Sequence, residues 1–249
     1  MPRANRYILP GQVCHLTHRC HNRSFLLRFA AYRNEYRRRL RSAAEQFRVP
    51  LLDYCITSNH THLLTAAPNR PAIGRFMQKL EGEFAAYYNH RKARNNSFWG
   101  ERYHCTMVES GEHLLRCMTY IDLNMVRAGT VTHPREWEWC GYHEIVGSRK
   151  RYRVLDLDRL MELVQVPDIE TLAKWHAARI DAAIAEGLLR RQAVWTESLA
   201  VGSPEFVRAT AGRFKRRKRL TIATDSDGYW YVHEPQVDNW HHAYRDEPI

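Results

Sequence analysis

Residues 51–67, LLDYCITSNHTHLLTAA, carry the pattern that decides the fold. Residues 51–57 and 60–67 are two runs rich in apolar, aromatic and β-branched residues, which are typical of strands. The dipeptide Ser58-Asn59 between them is typical of a turn. The segment therefore predicts a β-hairpin.

The sequence on both sides of this hairpin predicts the elements that surround it. Two further strands are expected at 11–18 and 103–109, and helices are expected in three segments: 30–48, 71 to about 88 or 90, and 111–127. The resulting order, β-α-β-β-α-β-α, is that of an α+β domain. We therefore expect an antiparallel sheet with helices packed on it, occupying residues 1–148.

Residues 149–249 differ in character from this domain. A basic joint at 149–153 precedes several short helical patterns between 156 and 212. A dense basic run at 213–219 and an acidic, aromatic tail from Asp225 follow. We expect a smaller helical, basic region that binds a DNA hairpin or plays an accessory role, although the basic run could equally be a flexible tail.

The charge of the chain favours a polyanionic partner. The 249 residues include 38 Lys and Arg against 27 Asp and Glu, a formal net charge of +11. The first fifty residues hold eleven arginines and no lysine. Arginine suits planar contacts to phosphates and base edges, so nucleic acid is favoured over a membrane. The alternative is a solvated basic face with no specific partner.

The compartment is predicted to be the cytoplasm. No apolar run approaches the length of a membrane span, and the N-terminus lacks the apolar segment of a signal peptide. The six cysteines are scattered without a CxxC pair, which argues against a zinc ribbon. We expect buried, reduced thiols.

His60 and His62 form the first candidate for a chemical site. Residues i and i+2 share one face of a strand, so two neutral imidazoles could bind one divalent cation there. The motif alone is weak, because about one such pair is expected by chance among 14 histidines in 249 residues. His15, His18 and His21 are expected to be core or DNA-facing residues without a metal, since a spacing of three alternates faces on a strand.

The predicted helix 111–127 offers a second set of polar groups. Its polar face carries six side chains at helical spacing: His113, Arg116, Cys117, Tyr120, Asn124 and Arg127. Nearby arginines are expected to favour the phenolate form of Tyr120, and the Asn124 amide oxygen could bind a hard metal ion. Two histidines with an amide oxygen fit Mg²⁺ or Mn²⁺ better than Zn²⁺. The alternative is an ordinary amphipathic surface helix.

Three stretches in consistent order carry a family resemblance: YCITSNHTHLL at 54–64, FWGERYH at 98–104 and YIDLNMVRAG at 120–129. Together they resemble the single-tyrosine HUH transposases (IS200-like), and more narrowly the REP-associated tyrosine transposases of bacteria. The resemblance covers about residues 1–147 and implies a ferredoxin-like HUH nuclease fold. It departs from the family at Met125, where many relatives have proline after the asparagine.

The resemblance implies a role for each matching residue. His60, His62 and Asn124 would be the ligands of one divalent metal ion, Mg²⁺ or Mn²⁺, and Tyr120 the nucleophile. The implied enzyme is a metal-dependent transposase that nicks and rejoins single-stranded DNA beside palindromic hairpins through a 5′-phosphotyrosine. It would act as a monomer rather than a dimer, in the bacterial cytoplasm, with the nucleoid as its location when bound to DNA.

DNA binding is assigned to basic residues in three parts of the chain: Arg3, Arg6, Arg19, Arg23, Arg116, Arg127, Arg216 and Arg217. The cations at 91–94 lie near Phe98 and Trp99 in sequence, and such aromatic faces could stack on unpaired bases. Two alternatives stay open. The chain could be a domesticated DNA-binding regulator without turnover, or a metal-dependent nuclease in which water attacks instead of Tyr120.

Overall fold

The structure, a computed structural model, describes residues 8–214 and 220–234. Its helices are α1 (Ala30–Phe47), α2 (Arg70–Arg91), α3 (Glu112–Asp122), α4 (Asn124–Arg127), α5 (Tyr142–Ile145), α6 (Leu157–Val164), α7 (Ile169–Ala185), α8 (Val194–Glu197) and α9 (Pro204–Phe214). Its strands are β1 (Val13–Arg19), β2 (Leu51–Ile56), β3 (His60–Ala66), β4 (His104–Val108), β5 (Ala200–Gly202), β6 (Thr221–Thr224) and β7 (Trp230–His233). The predicted order β-α-β-β-α-β-α and the α+β class are confirmed.

The four N-terminal strands form the antiparallel sheet that the sequence predicts. β1 lies between β3 and β4, and β2 pairs with the outer edge of β3. In this register Thr17 lies opposite His62 on one side and His104 on the other. His15 lies two positions along β1 on the same face. The sheet therefore brings histidines from three strands to one surface.

Helices cover both faces of this sheet. The Tyr36 hydroxyl on α1 lies 3.5 Å from Thr61 Oγ1, whereas the Tyr120 ring on α3 lies 6.1 Å from the ring of His62. Because successive strand residues point to opposite faces, α1 lies on one side of the sheet and α3 on the other. α2 lies on the α1 side, where Glu81 accepts a hydrogen bond of 2.9 Å from Tyr36. The histidine face is thus the α3 face.

The C-terminal region contains strands that the sequence analysis missed. β5 pairs in parallel with β4, and β7 joins β5 and β6 in antiparallel pairs. The result is one seven-stranded sheet in the order β2-β3-β1-β4-β5-β7-β6. The helices predicted after residue 148 are therefore accompanied by three short strands that the sequence analysis did not predict. Strands of three or four residues are too short to show a period-two pattern, which explains the omission.

The predicted single helix 111–127 is interrupted. α3 ends at Asp122, Leu123 adopts φ −74° and ψ 1°, and α4 begins at Asn124. The family departure at Met125 falls in the first turn of α4, a position where proline is also tolerated. The methionine at this position is buried. The interruption places Asn124 on a separate turn from Tyr120.

All six cysteines are buried and none forms a disulfide, as predicted. Within the part of the chain that the structure describes, no helix is both long enough and apolar enough to cross a membrane.

A buried hydrogen bond connects the end of α3 to the C-terminal region. The His176 Nε2 on α7 lies 2.7 Å from Asp122 Oδ2, and both side chains are fully buried. Burial, and then the charge of Asp122, raise the pKa of the neighbouring Asp53 well above its usual range. His176 thus provides a polar partner for a carboxyl group that water does not reach.

We expect His176→Leu to lower the free energy of unfolding by about 3 kcal/mol, because it leaves the buried Asp122 carboxyl without this hydrogen-bond partner. Urea unfolding of the full chain measures this change. Adding Asp122→Asn to the variant should restore part of the loss, since it leaves only a neutral amide buried at that position.

Arg179→Leu provides the matched control for this prediction. Arg179 lies on α7, as His176 does, and forms an exposed ion pair with Glu112 on α3. Loss of this pair should cost at most about 1 kcal/mol. Equal losses for His176→Leu and Arg179→Leu would contradict the assignment of the buried pair as the stronger connection.

Candidate active site

Three predicted metal ligands come together near the N-terminal end of β3. The rings of His60 and His62 lie 4.8 Å apart, which confirms that the two side chains share one face of β3. Asn124 Nδ2 lies 2.9 Å from His62 Nε2. The amide oxygen of Asn124 would reach the same point after a half-turn of the amide group. Histidines and asparagine are therefore within reach of one ion.

His60 is oriented by the turn that precedes it. Its Nδ1 lies 2.7 Å from Asn59 Oδ1 and 2.9 Å from Thr57 Oγ1. The Thr57 hydroxyl donates its own hydrogen to the His60 carbonyl, so both oxygens accept from the ring. The proton is therefore on Nδ1, and Nε2 keeps its lone pair for a ligand.

His62 is oriented by a relay that the sequence analysis did not anticipate. The Trp195 carbonyl accepts a hydrogen bond of 2.8 Å from His15 Nδ1. His15 Nε2 then carries a lone pair and accepts from His62 Nδ1 at 2.9 Å. This leaves the lone pair of His62 on Nε2, beside Asn124. His15 was expected to be a core or DNA-facing residue, and it is buried, but it also positions a predicted ligand.

The imidazoles of this site are neutral. Burial is the main cause that lowers the pKa of His60 to about 3 and that of His15 to about 4, and it lowers the pKa of His62 well below its usual value. The nearby Arg19 and Arg127 guanidiniums lower the pKa of His60 further. Neutral imidazoles with their Nδ1 hydrogens already donated have the form that metal ligands require.

The donor set fits an ion that is held by few protein atoms. Within residues 8–214 and 220–234 no group of three or more His, Cys, Asp or Glu could hold a metal ion. The available set is two imidazole nitrogens and one amide oxygen, which leaves coordination positions for substrate oxygens and water. The residues present therefore fit an exchangeable divalent cation.

Tyr120 lies beside these histidines in a buried position. Its ring is 6.1 Å from the ring of His62 and 6.4 Å from that of Trp195, and its side chain is only 5% exposed. Burial raises the pKa of Tyr120, and this effect outweighs the opposing charges of Arg127 and Arg191. The arginines therefore act in the predicted direction, but burial prevents them from making the phenolate the favoured form. The group is a phenol at neutral pH.

Arg127 is the arginine in closest contact with the tyrosine. Its guanidinium carbon lies 4.1 Å from the centre of the Tyr120 ring, and Nη2 donates a hydrogen bond of 2.6 Å to the Tyr120 carbonyl. Within the described part of the chain it makes no ion pair with a carboxylate. A guanidinium held in this way can donate hydrogen bonds to an anionic oxygen without first breaking an ion pair.

The other predicted arginines divide into three groups. Arg19 and Arg23 lie near the histidines, at the end of β1 and in the loop that follows. Arg116 is exposed and forms an ion pair of 2.8 Å with Glu112, and it lines the same cavity as Tyr120 and Arg127. The remaining four lie outside the described residues: Arg3, Arg6, Arg216 and Arg217.

The C-terminal region supplies two further parts of the site. The Trp195 carbonyl ends the histidine relay, and the charge of Arg191 acts on both Tyr120 and Arg19. No local pattern identifies either residue, because each reaches the site only through the pairing of β5 with β4. His15 could have been identified in part from the sequence, since residues 15 and 17 share one face of the predicted strand. Only the register with β3, in which Thr17 lies opposite His62, shows that this face is the one that carries the candidate ligands.

Comparisons with known proteins give one family match and similarities to solved structures. The profile of the family described as Transposase IS200 like matches residues 11–124. A REP-associated tyrosine transposase bound to a REP hairpin is similar at 16% identity and a TM-score of 0.48, over 59% of this chain and 86% of that one. A candidate transposase from Deinococcus radiodurans R1 is similar at 19% identity and a TM-score of 0.33, over 42% and 84%. No curated protein matches the chain.

Proposed function

Since this chain belongs to the IS200-like transposase family through residues 11–124, we propose that it nicks and rejoins single-stranded DNA through a covalent link to Tyr120. The observation that carries the proposal is the position of the Tyr120 ring. It lies 6.1 Å from the ring of His62, in the last turn of α3, and Asn124 begins the next helix, α4. A nucleophile and a candidate metal site thus face the same point. That the target strand lies beside a palindromic hairpin is inferred from the motif resemblance at 54–64, 98–104 and 120–129.

The proposed reaction is a transesterification that conserves the phosphodiester bond energy. The Tyr120 Oη attacks a backbone phosphorus, the bond from phosphorus to the 3′ oxygen breaks, and the 5′ end stays on the tyrosine. The phenol loses its proton and the leaving 3′ oxygen gains one, so the step needs no external energy source. A DNA 3′-hydroxyl reverses the step and rejoins the strand.

His60, His62 and Asn124 would hold the divalent ion, Mg²⁺ or Mn²⁺, which when bound polarises a phosphate oxygen and orients the scissile bond. The protein itself contributes several fixed groups. Thr57 and Asn59 orient His60, and the His15 relay orients His62. Because the Tyr120 ring is buried between Trp195 and Arg127, bulk water has little access to the attacking oxygen.

Arg127 is proposed to stabilise the negative charge that develops on the phosphate. We expect Arg127→Lys to reduce the rate of strand cleavage by about 100-fold, since it keeps a cation but loses the forked donors near Tyr120. Single-turnover cleavage of labelled DNA measures this rate. Arg41→Lys is the matched control and should change the rate less than about twofold, because Arg41 forms an exposed ion pair with Glu45 on α1, which lies on the opposite face of the sheet. Equal effects of the two substitutions would contradict this role.

The proposed function is tested with labelled single-stranded DNA that carries a hairpin and an unpaired flank. With Mg²⁺ or Mn²⁺, the wild-type protein should cut the strand and form an adduct that survives denaturation, and EDTA should abolish both results. Binding without cutting would favour the regulator. Cutting without an adduct would favour the nuclease that uses water. Action as a monomer in the bacterial cytoplasm stays a prediction.

A further inference from the structure

The loop between β1 and α1 exposes two large aromatic side chains. Phe25 is 64% exposed and Phe29 is 48% exposed, whereas Leu27 between them is fully buried. The predicted stacking residues behave differently, because Phe98 and Trp99 are buried and pack on Phe84 and His18. The exposed aromatic faces near the candidate site are therefore those of Phe25 and Phe29.

Positive charge surrounds these rings. The guanidinium carbon of Arg28 lies 4.5 Å from the centre of the Phe29 ring, and the Lys92 Nζ lies 5.8 Å from it. The two chain segments that form this surface, 20–33 and 88–97, contain no Asp or Glu. Arg33 is buried, and the cations at the surface of these segments are Arg23, Arg28, Arg91, Lys92 and Arg94. The surface therefore combines exposed aromatic faces with uncompensated positive charge along the chain.

The loop that carries the rings is held in place. Arg33 Nη1 donates hydrogen bonds of 2.9 and 2.8 Å to the carbonyls of Leu27 and Arg28. The Leu27 amide donates to the Ser58 carbonyl at 2.9 Å. Because these bonds fix the backbone on both sides of Leu27, the loop loses little conformational entropy when a ligand binds.

This surface borders the candidate metal site through one side chain. Asn59 Nδ2 donates to the Arg23 carbonyl at 3.1 Å, while its Oδ1 accepts from the His60 ring. The Cys20 amide also donates to the Asn59 carbonyl at 2.8 Å. The loop is therefore hydrogen-bonded directly to the turn that precedes His60.

We propose that Phe25 and Phe29 form a stacking platform for unpaired bases of single-stranded DNA that leads into the active site. Each base has an aromatic face that can stack on an exposed ring, and the surrounding cations match the phosphates between bases. A duplex stem offers no such faces, since its bases already stack on one another. The proposal rests on the proposed function for the direction of the strand, but the binding it describes does not require catalysis.

The test uses the full chain and a hairpin with an unpaired flank that contains 2-aminopurine. Its fluorescence is quenched by stacking, and anisotropy of an end label gives the affinity. The double variant Phe25→Leu/Phe29→Leu keeps apolar side chains but removes the aromatic faces. We expect it to bind the flanked hairpin roughly 10- to 100-fold more weakly and to lose the quenching. Its affinity for a blunt hairpin should be unchanged.

Trp175→Leu is the control, because Trp175 is a similarly exposed aromatic residue, on α7. It should leave affinity and quenching at the wild-type level. Unchanged affinity and quenching in the Phe25→Leu/Phe29→Leu variant would overturn the platform, even if the wild-type protein still forms the Tyr120 adduct. Loss of flank binding in this variant would support the platform, even if the wild-type protein forms no adduct and the proposed function fails.

Discussion

Tyr120→Phe is expected to abolish the covalent protein–DNA adduct and to reduce strand cleavage by at least about 1,000-fold. The substitution removes only the hydroxyl oxygen that would attack phosphorus. The ring remains, and with it the contacts to Arg127, His62 and Trp195 at 4.1, 6.1 and 6.4 Å. Folding and DNA affinity should therefore be preserved, so the loss would report on chemistry alone.

The measurement for this variant combines denaturing electrophoresis of labelled DNA with a binding titration. Tyr229→Phe is the matched control, because Tyr229 packs on Trp195 and Arg116 close to the same helix without reaching the histidines. It should cut and form adduct like the wild type. Cleavage by Tyr120→Phe at the wild-type rate would show that Tyr120 is not the nucleophile.

The second large effect concerns the metal site and forms a graded series. His62→Ala removes a proposed ligand and should abolish detectable Mn²⁺ binding along with cleavage. His15→Leu keeps all three proposed ligands but removes the acceptor for His62 Nδ1. We expect it to weaken Mn²⁺ binding by about 10- to 100-fold. His15→Gln should recover part of the affinity, because its amide oxygen can accept the same hydrogen bond.

Calorimetry or electron paramagnetic resonance of Mn²⁺ with the otherwise metal-free protein measures this series without relying on activity. His104→Leu is the matched control, since His104 also contacts a carbonyl of the C-terminal region, that of Ser198 at 2.8 Å, but not His62. Its Mn²⁺ affinity should equal that of the wild type. If His15→Leu and His104→Leu behave alike, the relay does not position His62.

Several local elements were predictable because their signals lie within a few residues. The turn Ser58-Asn59 and the spacing of His60 and His62 predicted a hairpin with both imidazoles on one face, and the structure confirms it. The interruption of the helix at Leu123 was not predictable. Apolar periodicity continues across that residue, and the family's proline that would signal a boundary is replaced by Met125.

Electrostatic predictions depended on burial, which the sequence does not report. The arginines near Tyr120 were expected to lower its pKa, but desolvation of the buried phenol raises it. The same limit affected the aromatic residues. Phe98 and Trp99 carry the family motif and are buried, whereas Phe25 and Phe29 have no motif and are exposed. Which aromatic faces reach solvent is settled by packing against distant elements.

The sequence by itself determined the hairpin and the α+β order, because helix and strand periodicity are local properties of the chain. The order of the motifs likewise selected His60, His62, Tyr120 and Asn124 as candidate site residues. Only the tertiary structure joined the C-terminal strands to the same sheet and placed Trp195 behind His15. Contacts between residues 180 positions apart depend on the register of paired strands and on close packing. These are long-range properties that no local pattern encodes.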